Sequence, residues 1–254
     1  MDRKIRIGAV SYLNTKPLIY GLSRLPIKDE ISLICDYPAQ IASKLKNDEI
    51  DIGLIPVAVI NQLNQYHIIG SHCIACNGPV HSVAIFSEKP LNEITTILMD
   101  YQSRTSVMLA RILLKEFWKL SPEFVETSGE DFKNLIKDNV AGIVIGDRAL
   151  EQNKKSTFIY DLGEAWLSYT GLPFVFAAWV SNKKIPVSFI KKFEEANQFG
   201  LNELEKVIAL EKYPPDDLLE YYTKYIKYNL DDLKLKGLNL FLKKLENFNT
   251  KGLL

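Results

Sequence analysis

Four short polar stretches carry the side chains best suited to holding a small anion. They are Ser11-Tyr12-Leu13-Asn14-Thr15, Gly78-Pro79-Val80-His81-Ser82-Val83, Ser103-Arg104-Thr105-Ser106 and Gly146-Asp147-Arg148. Hydroxyls and an amide supply hydrogen-bond donors without adding charge, a chemistry matched to carboxylate or phosphate. Ser103–Ser106 opens a long apolar-patterned helix, where backbone N–H groups and the positive end of the dipole favour an anion. The same position suits Ser103 or Thr105 as a helix cap, and local sequence supports both uses equally. Asp147 follows the apolar run VAGIVI and has three open uses: accepting from a hydroxyl, holding the adjacent Arg148, or capping the helix RALEQN.

Stronger chemistry finds less support. Cys73-Ile-Ala-Cys76 has the form of a CxxC, with His67, His72 and His81 close in sequence, so zinc has to be weighed. In strand-like surroundings alternate side chains point to opposite faces, and no second CxxC completes a four-thiolate set. Buried structural thiols are therefore the expectation, with no metal and no cofactor. His81 beside Ser82 suffers the same geometric objection as a base–nucleophile pair. No P-loop, GxGxxG, HExxH or GxSxG stretch occurs.

The elements that position these stretches can be read from periodicity. KIRIGAV is a strand, a helix opened by Pro17 follows, ISLICD is a strand, PAQIASKLKNDE a helix with Pro38 in its first turn, and DIGLIPV a strand. This alternation predicts βαβ units, which bind ligands at the carboxyl ends of their strands, where SYLN falls. From TTILMD the alternation restarts through the helix VMLARILLKEFWKL and the strands VAGIVI and STFIYD. The continuous apolar run LPFVFAAWVSN then returns the chain to the first sheet, and only helical patterns follow. The expected organisation is α/β and two-lobed: residues 1–88 with 178–254, including the C-terminal helices, form one lobe, and 89–177 an inserted α/β lobe. The ligand cleft is expected between them.

Composition sets outer bounds. Lys plus Arg equals Asp plus Glu, 31 each, which removes any general electrostatic draw toward nucleic acid or anionic membrane. At 47% hydrophobic residues the chain has ample material for a core. Three cysteines, an odd count, fit reduced thiols. The first residues lack the roughly 7–15-residue apolar core of a signal peptide, and no run nears the ~20 residues of a membrane span. The expectation is a cytoplasmic protein, although a processed chain reads the same way.

Six segments in register then resemble one family. SYLNTKPL at 11–18, GLIPV at 53–57, GPVHSV at 78–83, DYQSRTSVMLARILL at 100–114, IGDRAL at 145–150 and DLGEAWLSYTGLPFVFAAW at 161–179 are similar to the chorismate dehydratases of the futalosine route to menaquinone. The resemblance implies the type II periplasmic-binding-protein fold used as a cytoplasmic enzyme without cofactor. It implies a hydro-lyase that removes water from chorismate, a small dicarboxylate, to give 3-[(1-carboxyvinyl)oxy]benzoate. Carried over by position, Asn14 and Ser82 are the catalytic residues. Asn14 orients substrate and leaving hydroxyl, while Ser82 positions a carboxylate or relays a proton. Ser103, Thr105 and Ser106 hold the other carboxylate, Ser11 and Tyr12 line the substrate, and Asp147 accepts from a hydroxyl. A substrate carboxylate is the proposed proton acceptor in this family. His81 and the CxxC belong to no family signature. The rival readings are a sister enzyme of the same pathway and fold, and a non-catalytic sensor of small anions.

Overall fold

A computed structural model describes residues 3–24 and 26–249. In chain order the strands are β1 (Ile5–Val10), β2 (Ile31–Asp36), β3 (Ile52–Pro56), β4 (His67–Cys76), β5 (Val83–Ser87), β6 (Thr96–Met99), β7 (Glu123–Glu126), β8 (Val140–Ile145), β9 (Phe158–Asp161), β10 (Phe174–Ser181) and β11 (Lys227–Asn229). The helices are α1 (Lys16–Leu22), α2 (Pro38–Lys46), α3 (Arg104–Leu113), α4 (Asp147–Gln152), α5 (Leu162–Thr170), α6 (Val187–Asn202), α7 (Leu204–Ile208), α8 (Pro215–Glu220) and α9 (Asp232–Asn249). Among the described residues two mixed sheets result, one of six strands in the order β11-β4-β10-β3-β1-β2 and one of five in the order β7-β6-β8-β5-β9.

Two compact units form around these sheets. One holds the chain up to Ala75 together with Val175–Asp232, and the other holds Cys76–Phe174 and the chain from Leu233 onward. These bounds differ from the sequence expectation of 1–88 with 178–254. β5 pairs with β8 and β9 in the second sheet, so the chain has already left the first unit before residue 88. α9 groups with the second unit because Phe241 sets its ring edge-on to Phe174 and Trp166, with centroids 5.0 and 6.1 Å apart. An amphipathic pattern tells that a helix is half-buried but not which sheet it covers.

In the first unit β1 lies parallel to both β2 and β3, and β10 runs antiparallel to β3. The apolar residues of IRIGAV are buried from Ile7 onward, and the chain turns polar where the strand ends. Pro17 sits in the first turn of α1, where its missing N–H costs nothing. α1 and α6 meet backbone to backbone. A Cβ at Gly21 would stand 1.7 Å from the Ala196 carbonyl oxygen, and one at Gly200 1.8 Å from that of Pro17. α6 is itself anchored on the sheet by Phe193, edge-on to Trp179 of β10 at 5.0 Å.

The opposite end of β1 is fastened by charge. Arg3 and Arg6 reach Asp51 Oδ1 at 2.7 and 3.1 Å, Lys183 reaches it at 2.7 Å, and the Arg6 backbone N–H donates to Oδ2 at 2.8 Å. Burial would push this carboxyl up. The Arg6 and Lys183 hydrogen bonds outweigh burial and hold it far below the usual carboxylate range.

The second unit builds its core from Ala84, Phe86, Leu98, Phe132, Ile136, Val144 and Ala149. α3 runs on into a wider π-type turn at Leu114–Trp118 and stops at Lys119, whose φ of 58° is left-handed. Glu116 in that turn accepts from Lys244 of α9 and, at 2.8 Å, from the Tyr169 hydroxyl. Burial pushes the Glu116 carboxyl up, but these two donors prevail and leave it below its ordinary value.

Candidate functional site

The first group of candidates stands at the carboxyl end of β1. Ser11 is exposed, Tyr12 and Asn14 are half-buried, and Leu13 and Thr15 point into the core. A single tight turn over Leu13–Thr15 makes the transition from strand to α1, closed by Thr15 N–H donating to the Tyr12 carbonyl at 3.0 Å. Asn14 Oδ1 accepts from the Thr15 hydroxyl at 3.1 Å, and its backbone carbonyl accepts from the Tyr228 hydroxyl at 2.9 Å. Tyr228 is buried, and that burial, with Tyr222 and Tyr221 beside it, raises its phenol well above the ordinary value, so it stays a neutral donor.

The second group gathers at one end of the second sheet, where β6 and β8 finish and β5 begins. Ser82 is buried and directly precedes β5, whose Val83 pairs with Ile145 at the end of β8. The Ser82 carbonyl accepts from Gly146 N–H at 2.8 Å. Gly146, with φ 64° and ψ −146°, makes the turn into α4 and occupies its cap position, so Asp147 enters as the first helical residue, half-buried. At the start of α3 the Ser103 Oγ accepts from Ser106 N–H at 3.1 Å, which makes it the helix cap while its own O–H remains a donor group. Thr105 and Ser106 are buried in the first turn behind it.

Sequence reasoning missed the group that organises this end. Asp100 closes β6 with its carboxylate fully buried, and Arg148 donates to both its oxygens at 2.9 and 2.8 Å. The same carboxylate accepts from the backbone N–H groups of Gln102 at 2.9 Å and Ile145 at 3.2 Å. Burial pushes the Asp100 carboxyl up, against the pull of Arg148 and these donors. Arg148 is also engaged by Glu130 at 3.2 Å and Gln102 at 3.1 Å. Arg148 thus reaches a carboxylate 48 positions away in sequence. Chemically, Asp100 and Glu130 offset the charge of Arg148. The signal available in sequence was an acid at the end of TILM, three positions before the helix-opening serine.

The cysteine and histidine segment resolves into separate environments. Cys73 and Cys76 are buried thiols on β4, while His72 turns its Nδ1 to Glu194 of α6 at 2.9 Å. His81 is exposed and lies outside that strand. Among the described residues no group of three His, Cys, Asp or Glu side chains is placed to hold a metal ion, and no helix is long and apolar enough to cross a membrane.

Comparison with known proteins adds an independent line. A family model described as menaquinone biosynthesis matches residues 5–247. The chorismate dehydratase of Thermus thermophilus is 25% identical over 260 residues, covering 92% of this chain and 93% of the relative. That of Campylobacter jejuni is 28% identical over 193 residues, covering 73% and 72%. Among solved structures, a protein from Archaeoglobus fulgidus matches with a TM-score of 0.76 at 15% identity, over 99% of this chain and 98% of that one. A Candida albicans protein described as having the generic periplasmic-binding-protein fold matches with a TM-score of 0.64 at 15% identity, over 97% and 91%. The fold is thus periplasmic-binding-protein-like.

Proposed function

The chain belongs to the menaquinone biosynthesis family, and from that premise we propose that it is a chorismate dehydratase, a hydro-lyase yielding 3-[(1-carboxyvinyl)oxy]benzoate. The observation that carries this reading is the pair of relatives with that activity in their names, one spanning nearly the whole chain. The reaction breaks the C4–O bond and the C3–H bond of chorismate, and the released hydroxyl and proton leave as water. Aromatisation of the ring drives it, and conjugation with the ring carboxylate acidifies the C3 hydrogen. The protein's task is to hold two carboxylates in a reactive geometry and to stabilise charge as it develops.

In this proposal Asn14 orients the ring and the departing hydroxyl, with Ser11 and Tyr12 beside it. Ser82 hydrogen-bonds a carboxylate or passes on a proton, and Ser103, Thr105 and Ser106, at the start of α3, receive the second carboxylate. Asp147 accepts from a substrate hydroxyl. A substrate carboxylate takes the C3 proton. Two features support a site of neutral donors: Tyr228 stays protonated against the Asn14 carbonyl, and Arg148 is already matched by Asp100 and Glu130.

The test is to incubate the protein with chorismate and follow the aromatic product by absorbance and mass. Formation of a product lighter by one water is the expected result. Chorismate bound but unchanged points to a sensor, and neither binding nor turnover points to the sister enzyme of the same pathway.

A further inference from the structure

We infer that Asp161 is a positioning residue for Ser82, acting through the backbone of the loop that carries it; this rests on the reading of Ser82 as a substrate contact. Asp161 ends β9, and its carboxylate is divided between two tasks. Oδ1 caps α5, accepting from Gly163 N–H at 2.9 Å and Glu164 N–H at 3.0 Å. Oδ2 reaches some 80 positions back in sequence and accepts from two consecutive loop amides, Val80 N–H at 2.9 Å and His81 N–H at 2.7 Å.

Two adjacent N–H groups aimed at one oxygen form an anion-binding concavity, and here the anion belongs to the protein. That arrangement requires an unusual backbone. His81 has φ 61°, a left-handed conformation that a residue with a Cβ rarely adopts unaided. The loop is held from the other side as well, since the His81 carbonyl accepts from Asn153 Nδ2 at 2.7 Å and the Ser82 carbonyl from Gly146 N–H at 2.8 Å. Ser82 is the next residue after the strained one, so the direction of its side chain follows from the His81 conformation that Asp161 holds. Burial pushes the Asp161 carboxyl up while its four backbone donors oppose that rise, consistent with a group placed for hydrogen bonding. An α5 cap alone would be served by a serine; only a longer side chain with two acceptor oxygens also reaches the loop.

The experiment compares Asp161→Ser, Ser82→Ala and the double variant in chorismate turnover. Serine preserves the cap and abandons the loop, so Asp161→Ser should lower kcat by about 100-fold, near the loss on removing a positioned donor. The double variant should be no more than about threefold slower than Ser82→Ala alone, because the two changes act through one group. Adding His81→Gly to Asp161→Ser should restore at least about tenfold of the loss, since glycine adopts the left-handed conformation without a clamp. Losses that multiply in the double variant, or no rescue by glycine, overturn the inference and leave Asp161 a scaffold residue. If Asp161→Ser does not fold, Asp161→Asn decides by the same double-variant comparison: its oxygen keeps the cap while its NH2 opposes the loop amides. Full turnover in Ser82→Ala removes the reading of the site itself, and the inference with it.

Discussion

The turn around Asn14 leans on apolar packing, whereas the loop before Ser82 hangs on polar pins. Behind Asn14 the chain runs straight into α1, seated against α6 at backbone contact, and α6 is seated in turn on Trp179. A single side chain, Tyr228, bonds the Asn14 carbonyl. Around Ser82, Asp161, Asn153 and Gly146 hold three consecutive residues by four hydrogen bonds, with one of those residues in a strained conformation. Packing of this kind resists displacement through volume, and a one-carbon intrusion is enough to disturb it. Pins resist through direction, and a change of donor or acceptor disturbs them without altering volume.

The largest effect that sharpens this contrast is on turnover. Asn14→Ala and Ser82→Ala should each lower kcat by about 10²–10³ while Tm moves by no more than about 2 °C. Steady-state assays beside thermal melts check this, and melts that collapse in both variants would make these residues scaffold.

Next comes Gly200→Ala, which drives a methyl into the Pro17 carbonyl. Overpacking of about 2–3 kcal/mol should lower Tm by roughly 5–10 °C, with turnover at 25 °C retained by the folded fraction. An unchanged melt would show that α1 does not depend on that contact.

Acid should act on the same unit from the far end of β1. The Asp51 carboxyl lies lower in the folded chain than in the unfolded one, so its contribution is complete above about pH 4 and disappears as pH falls further. Asp51→Asn should melt below the parent at pH 7, and the gap should narrow by pH 3 in melts across that range. A gap independent of pH contradicts the sign. Smallest is Tyr228→Phe, which takes a buried hydroxyl from the Asn14 carbonyl and should cost about 1 kcal/mol, or roughly 2–4 °C. Differential scanning calorimetry resolves such a shift, and no change would mean the bond contributes nothing.

What could be read in the sequence follows the range over which each signal acts. The end of β1 in SYLN and the entry of α1 at Pro17 are local matters of apolar periodicity and a fixed φ, and both are where the pattern puts them. LPFVFAAWVSN as a returning strand was legible because an unbroken apolar run has to be covered on both faces. Asp100 with Arg148 and Asp161 with Val80 and His81 were not legible, since their partners lie 48 to 81 positions apart and no spacing rule links them. Ser103 shows the limit from the other side: cap and anion donor demand the same residue, and the observed bond to Ser106 N–H establishes the cap without bearing on the donor. For α9, the aromatic neighbours of Phe241, and not its periodicity, group it with the second unit.

The strand order of the first sheet bears on birth at the ribosome. β10 lies between β3 and β4, yet it is synthesised only after all five strands of the other sheet. Until it emerges, β3 offers the nascent chain an unpaired edge of wholly buried-type residues, a surface prone to mispairing. The second sheet has all its strands by then, although α9 is still to come, and a chain stopped just before Phe174 should show more protease protection over β5–β9 than over β1–β3. Equal protection of both would mean that the early strands find shelter without their central neighbour.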